Sequence, residues 1–324
     1  MDDDIDIIPH GLVVTGVVLN KTLLGVPGAV KALAHVVGKT GEAGGTIVQA
    51  WGESVAQGIR DKAEGKSIMA RALANAAADL GVSDPAMVQR AADTFAAGIL
   101  KKQVNREAVA RVAVEHLNEG DPIDPTSTGP TDDWLNFFDT IAERATSEAL
   151  RDVLGRILNG EIRKPGSFSL STIQFMSVLD KDVAVVIENM FQHIAYEDFI
   201  PFPNRFDYTD DFRKKSLLSQ YGILTDSQNR RFIVPESGIL SLPFKSLQIV
   251  FKCEPGTTVI IPVVALTRIG QEILPLLSSN THQSGVIHAA EQIMKMEGVL
   301  SADIVAFDSA GGSPTLVKRL QKDK

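Results

Sequence analysis

Two glycine-lysine-hydroxyl triplets, Gly38-Lys39-Thr40 and Gly65-Lys66-Ser67, end as a phosphate-binding loop ends. Such a loop wraps its backbone amides around phosphates and needs a first glycine five residues before the second. Those positions hold Leu33 and Arg60, and neither triplet follows a strand-like run, so neither carries a nucleotide site. Gly166-Ser167 is followed, after twelve intervening residues, by Asp180-Lys181-Asp182, a spacing reminiscent of enzymes that hold two metal ions on paired carboxylates. Those carboxylates alternate on a strand, whereas the pattern after Asp180 is helical. Asp180 as an N-cap with Asp182 in the first turn accounts for both acids through the helix dipole.

The remaining chemistry-bearing residues are scattered. His10, His35, His116, His193, His282 and His288 show no metal-ligand spacing. Cys253 reads as an inward-facing strand residue, and neither a GxSxG elbow nor a GxGxxG loop is present. No catalytic residue, cofactor or metal is therefore expected, and the reading leans away from an enzyme. Two basic clusters, Arg213-Lys214-Lys215 and Arg230-Arg231, stand either as a patch for nucleic-acid phosphates or as a solvated helix end and a strand edge.

Composition sets the frame. The chain has 324 residues, 44% hydrophobic and 22% charged, with a net charge of −8, which fits a folded chain of one or two domains. Its acidity disfavours broad coating of nucleic acid but leaves a local basic patch open. The single cysteine fits a reducing compartment, and Asp2, Asp3, Asp4 and Asp6 are the opposite of a signal peptide, so a cytoplasmic location is expected.

Residues 11–45 are glycine-rich, and from Ile7 to Gly41 the only formal charges are Lys21, Lys31 and Lys39. Leu23, Val26, Val30, Leu33 and Val37 make an apolar helical stripe. Packing in protein and insertion into a membrane through Leu23, Leu24 and Val26 both remain open, and Asn20, Lys21 and Pro27 argue against a simple span. From Trp51 to Leu117 the chain is alanine-rich, and three helices are expected. One carries Ile68, Ala72, Leu73, Ala76 and Leu80 and ends at Gly81. Asp84-Pro85 opens a second, with Val88, Ala92, Phe95 and Ile99 buried, and Asn105 caps a third. Residues 1–118 thus form an N-terminal helical region. Residues 119–131, with three prolines and two glycines, form a linker to a domain over 132–324.

That second domain opens with four helical patterns. Trp134, Leu135, Phe138 and Ile141 mark the first, and Ser147 caps the second, which Gly160 ends as an αL C-cap. Leu170, Ile173 and Met176 mark the third, and Asp180 caps the fourth. Further on, Leu247–Cys253, the turn Glu254-Pro255-Gly256 and Thr258–Ala265 predict a β-hairpin flanked by helices, a winged-helix-like unit. The expected class is mostly α with a small α+β part.

The stretch from Trp134 to Asp182 resembles the bacterial family known as domain of unknown function 2806. The shared features are Leu154-Gly155-Arg156-Ile157-Leu158, Gly160-Glu161-Ile162, and the turn Lys164–Leu170 with Thr172. A later element is matched by Leu266, Thr267, Gly270, Glu272 and Ile273, so the resemblance runs over about 130–280. It brings no catalytic residues, and its bacterial accessory and prophage-like setting implies an antiphage role. Within the motif, Arg156, Glu161, Lys164, Ser167 and Phe168 read either as an internally braced turn, with an Arg156–Glu161 pair, or as an exposed binding loop. The function expected is non-catalytic binding of macromolecules, as a sensor or adaptor with a protein partner or a second copy. The alternative is a membrane-active effector using residues 11–45.

Overall fold

The computed structural model describes residues 13–14, 17–18, 27–36, 84–119, 123–124, 126–203, 210–277, 283–306 and 314–321. The chain divides into two compact units, Met1–Ser177 and Val178–Lys324, so residues 119–131 fall inside the first. Within that stretch Ile123, Gly129 and Pro130 are buried, and Ser127 Oγ donates to the Ile162 carbonyl.

The described part of unit 1 is helical apart from a minimal ladder of β1 (Val13–Val14) and β2 (Val17–Val18). Its helices are α1 (Pro27–Val36), α2 (Pro85–Glu119), α3 (Asp132–Ala142), α4 (Glu148–Arg163) and α5 (Leu170–Ser177). Side chains start two of them: Thr131 Oγ1 accepts from the Trp134 amide, and Ser147 Oγ from the Leu150 amide. Asp84 opens α2, its Oδ1 accepting from the Ala86 amide at 2.9 Å with Pro85 behind it. The α2–α4 contact is close because Gly155 has no side chain: a Cβ there would lie 2.5 Å from Val112 Cγ1. Ala29, Ala32, Leu33 and Val36 of α1 are buried, as are Val109, Ala113 and Leu117 of α2 and Leu135 and Phe138 of α3.

Two helical expectations are corrected in α2. It is one helix of 35 residues, and Asn105 lies inside it rather than capping a third. The Asn105 side chain finds partners beyond its own helix, so it has no need of the capping role. Its Nδ2 donates to the Glu143 carbonyl at 2.8 Å, and its Oδ1 accepts from Arg151 Nη2 at 2.7 Å. The stripe expected to be buried in the N-terminal half is open instead, with Phe95 and Ile99 exposed. The helix expected over residues 68–80 lies outside the described residues.

Unit 2 overturns the expected fold class. It contains α6 (Lys181–Phe191), β3 (Phe199–Pro201), α7 (Asp210–Gln220), β4 (Leu224–Ile233), β5 (Ile239–Pro243), β6 (Leu247–Cys253) and β7 (Thr258–Leu266). After these come α8 (Arg268–Ile273), a 3-10 turn at Leu274–Leu276, α9 (Gln283–Met294), β8 (Val299–Ala306) and β9 (Thr315–Gln321). The strands make two antiparallel sheets, a three-stranded one in the order β3-β7-β4 and a four-stranded one in the order β5-β6-β8-β9. The chain is therefore α+β, not mostly α with a small α+β part. The sequence hid this because β4, LTDSQNRRFI, and β9, TLVKRLQ, are exposed strands whose apolar residues hardly alternate.

The predicted hairpin is corrected too. β6 and β7 are strands, but β6 pairs with β5 and β8 whereas β7 pairs with β3 and β4. The Glu254–Thr257 turn carries the chain from one sheet to the other, anchored by reciprocal backbone bonds between Val234 and residues 256 and 257. No winged unit results. The inward faces of both strands, with Ile249, Phe251 and Cys253 from one and Val259, Ile261 and Val263 from the other, share one core with α9.

Candidate functional site

The motif turn is built from the end of α4. The expected C-cap at Gly160 is corrected: α4 runs on to Arg163, and the left-handed residue is Gly166, at φ +88°. Gly160 is small because the Phe168 ring occupies the space a Cβ would take, 2.6 Å from Cε2. Glu161, only 3% exposed, clamps the turn. Its Oε1 accepts from the Gly166 amide at 2.6 Å and its Oε2 from the Phe168 amide at 2.9 Å. Ser167 Oγ donates to the Lys164 carbonyl, and Ser169 is the residue that caps α5. Trp134 Nε1 donates to the Phe168 carbonyl at 2.7 Å, and its indole stacks on Phe138. Arg156 sits 3.9 Å from Asp152, one turn back on α4. The turn is thus braced internally at Glu161, Ser167 and Phe168, while Lys164, Pro165 and Gly166 face solvent.

A second assembly in unit 1 brings together residues far apart in sequence. Asp139 of α3 is 7% exposed and lies 3.4 Å from Arg106 Nη2 of α2 and 3.5 Å from His35 Nε2 of α1. One turn on, Glu143 accepts from Lys102 Nζ at 2.9 Å and lies 3.9 Å from Arg106. Burial pushes the Asp139 carboxyl up to about 6, against the opposing pull of Arg106 and His35. Among the described residues, Asp139 Oδ1 and Arg106 Nε are buried without a hydrogen-bond partner. The cluster links α1 and α2 to α3 through the Asp139 carboxyl.

The basic clusters lie on two successive elements, Arg213, Lys214 and Lys215 on α7 and Arg230 and Arg231 on β4. Arg213 is exposed on α7, and Lys215 Nζ lies 5.9 Å from the Phe212 ring beside half-buried Lys214. Arg230 on the edge strand β4 is paired with Asp198 and lies 4.5 Å over the Phe199 ring. Arg231 follows it and, by the alternation of a strand, faces the other way. Asp180 occupies the N-cap position of α6 without a side-chain bond, and Asp182 lies in the first turn of that helix. The two acids thus sit at a helix start, and not on a strand. Cys253 is buried in the unit 2 core, and burial raises its thiol pKa. Leu23, Leu24 and Val26 lie outside the described residues. Among the described residues, no helix is long and apolar enough to cross a membrane, and no group of three or more His, Cys, Asp or Glu side chains could hold a metal.

Residues 89–198 match the family model described as protein of unknown function (DUF2806). The DUF2806 match takes in most of α2, the Asp139 cluster apart from His35, and the whole clamped turn. It ends before the Leu266–Ile273 element. Neither a curated protein nor a solved structure matches the chain.

Proposed function

We propose that this chain is a non-catalytic macromolecule-binding protein that assembles with a second copy of itself through the free half of α2. The observation that carries this reading is the exposure of large apolar side chains there: Met87 52%, Phe95 55%, Ile99 44%, Leu100 66% and Val104 59%. Met87, Phe95 and Ile99 fall within about 120° of the helix surface, and an exposed apolar stripe of this kind marks interaction sites. The stripe also continues a packed face. Phe95 and Ala113, like Ile99 and Leu117, are eighteen residues apart, five whole helical turns, and the second member of each pair is buried. The free stretch from Pro85 to Val104 is about 30 Å long, enough for a helix–helix interface. An antiparallel pair crossing near residue 97 sets Asp93 of each helix level with Lys101 of the other, which supports a second copy as occupant.

Sedimentation of the purified chain tests this. Self-association that rises with concentration, and that is lost in a Phe95→Asp, Ile99→Asp double variant with unchanged circular dichroism, is expected. A parent that stays monomeric throughout the micromolar range would sink the reading. Insertion of residues 11–45 into a membrane is the second reading. The burial of Ala29, Ala32, Leu33 and Val36 in unit 1 supports packing over insertion. Dye release from anionic liposomes, abolished by Leu23→Asp with Leu24→Asp, would reverse that order. A place in antiphage or prophage-related defence remains what the family resemblance implies, and its test is phage plating on cells with and without the gene.

A further inference from the structure

Unit 2 contains a half-open cavity of about 730 Å³ that none of the readings above uses. Its size falls within the range of small-molecule sites. Phe191, Ile194, Phe244 and Leu277 supply apolar wall, and Gln192, Tyr196, Glu197 and Lys245 bring polar groups to it.

The way Glu197 reaches the cavity is unusual. Tyr196 and Glu197 are consecutive non-glycine residues in the left-handed region, at φ +54° and +56°. Such backbone is costly and persists only where the surroundings over-determine it. Here the turn is held from several sides. The Tyr196 amide donates to the Pro243 carbonyl at 2.9 Å, the Asp198 amide to the Ala195 carbonyl at 3.1 Å, and the Ala195 amide to the Phe199 carbonyl at 2.7 Å. The Tyr196 hydroxyl donates to the Ser241 carbonyl, and its ring stacks near Phe199 and Phe232. The same contacts tie this turn to the end of β5, which leads directly to Lys245.

Glu197 and Lys245, both exposed residues of opposite charge, therefore line one cavity together with that apolar wall. They form no ion pair with each other, and among the described residues neither has another charged partner. From this arrangement we infer that the cavity binds a zwitterion with an apolar body, the chemistry of an apolar amino acid or a short apolar peptide with free ends. The ligand's ammonium faces Glu197, its carboxylate faces Lys245, and its side chains occupy the wall of Phe191, Ile194, Phe244 and Leu277. Charge-assisted bonds at the two ends then add direction to an otherwise non-directional apolar contact.

Calorimetry with three probes tests the inference on the full chain: leucine, tri-leucine with free ends, and tri-leucine acetylated and amidated. Binding of at least one free-ended probe is expected, with at least a tenfold loss for the blocked peptide and for Glu197→Gln or Lys245→Gln. Binding of leucine alone assigns the site to amino acids, and binding of tri-leucine alone assigns it to peptides. Glu197→Gly provides a second check, because glycine accepts that backbone without strain: the variant should melt higher than the parent yet lose binding. Equal affinity for free and blocked peptide, or no binding of either free-ended probe at millimolar concentration, would overturn the proposal. Self-association through α2 is read separately and stands or falls without it.

Discussion

Among the described residues, the buried polar and charged side chains Asn105, Asp139, Glu161 and Thr172 all lie in unit 1, whereas the shared core of unit 2 is built from apolar side chains and Cys253. The contrast follows from how each unit satisfies its backbone. Helix ends leave amides and carbonyls without partners inside the helix, and turns between packed helices carry such groups into the interior. Unit 1 meets them with side chains: Glu161 for the amides of 166 and 168, Asn105 for the carbonyl of 143, and Trp134 for the carbonyl of 168. In unit 2 the antiparallel ladders satisfy the strands directly, so the space between the sheets can be filled by apolar side chains alone.

The comparison can be broken at its boundary first. Limited proteolysis is expected to cut between Ser177 and Asp180, where Val178 is exposed and the contacts divide, releasing two fragments. First cuts within 119–131 would support the boundary suggested by composition. Next in size is Phe251→Ala, which empties a site that is 1% exposed in the unit 2 core. A loss of about 3–5 kcal/mol in urea melts is expected, and an unchanged midpoint would contradict the packing described.

In unit 1, Glu161→Ala strips two buried amides of their acceptor. A loss of about 3 kcal/mol is expected, with faster hydrogen exchange at Gly166 and Phe168 in particular. Stability unchanged from the parent would mean that the turn is braced by Trp134 and Phe168 alone.

The Asp139 cluster gives a prediction with a sign. A carboxyl whose pKa is raised from 3.8 to about 6 binds its proton more tightly in the folded chain than in the unfolded one. Its contribution to stability is therefore fully present below about pH 3.8 and is lost as pH rises through about 6. From this group alone, unit 1 gains on the order of 3 kcal/mol on acidification across that window. Asp139→Asn should flatten the dependence between pH 4 and 7, and a parent-like slope in the variant would assign it elsewhere. Smallest of all is the stabilisation by Glu197→Gly in unit 2, about 1 kcal/mol from relieved backbone strain. A lower melting temperature would show that the Glu197 side chain contributes more than its backbone costs.

Much of the helical unit was legible because helices are local. Ser147 caps where its spacing places it, and Leu135, Phe138 and Ile141 are buried as their periodicity requires. Phe251 and Cys253 point inward as their alternation requires. Strand partners were not legible. Alternation states which face of a strand is buried but not which strand lies beside it, and so β6 and β7 were joined into a hairpin they do not make. The cluster was hidden for the same reason, since His35, Arg106 and Asp139 meet only after three helices pack.

Local rules of period, capping and turn chemistry let the sequence by itself determine most helices after Thr131, the inward face of β6 and the motif that matches DUF2806. Only the tertiary structure decided that Glu161 bonds the turn rather than Arg156, that Phe95 and Ile99 of α2 are exposed, and that Glu197 and Lys245 line one cavity. Each of these depends on distances between segments remote in the chain, and the periodicity of a single segment carries no record of them.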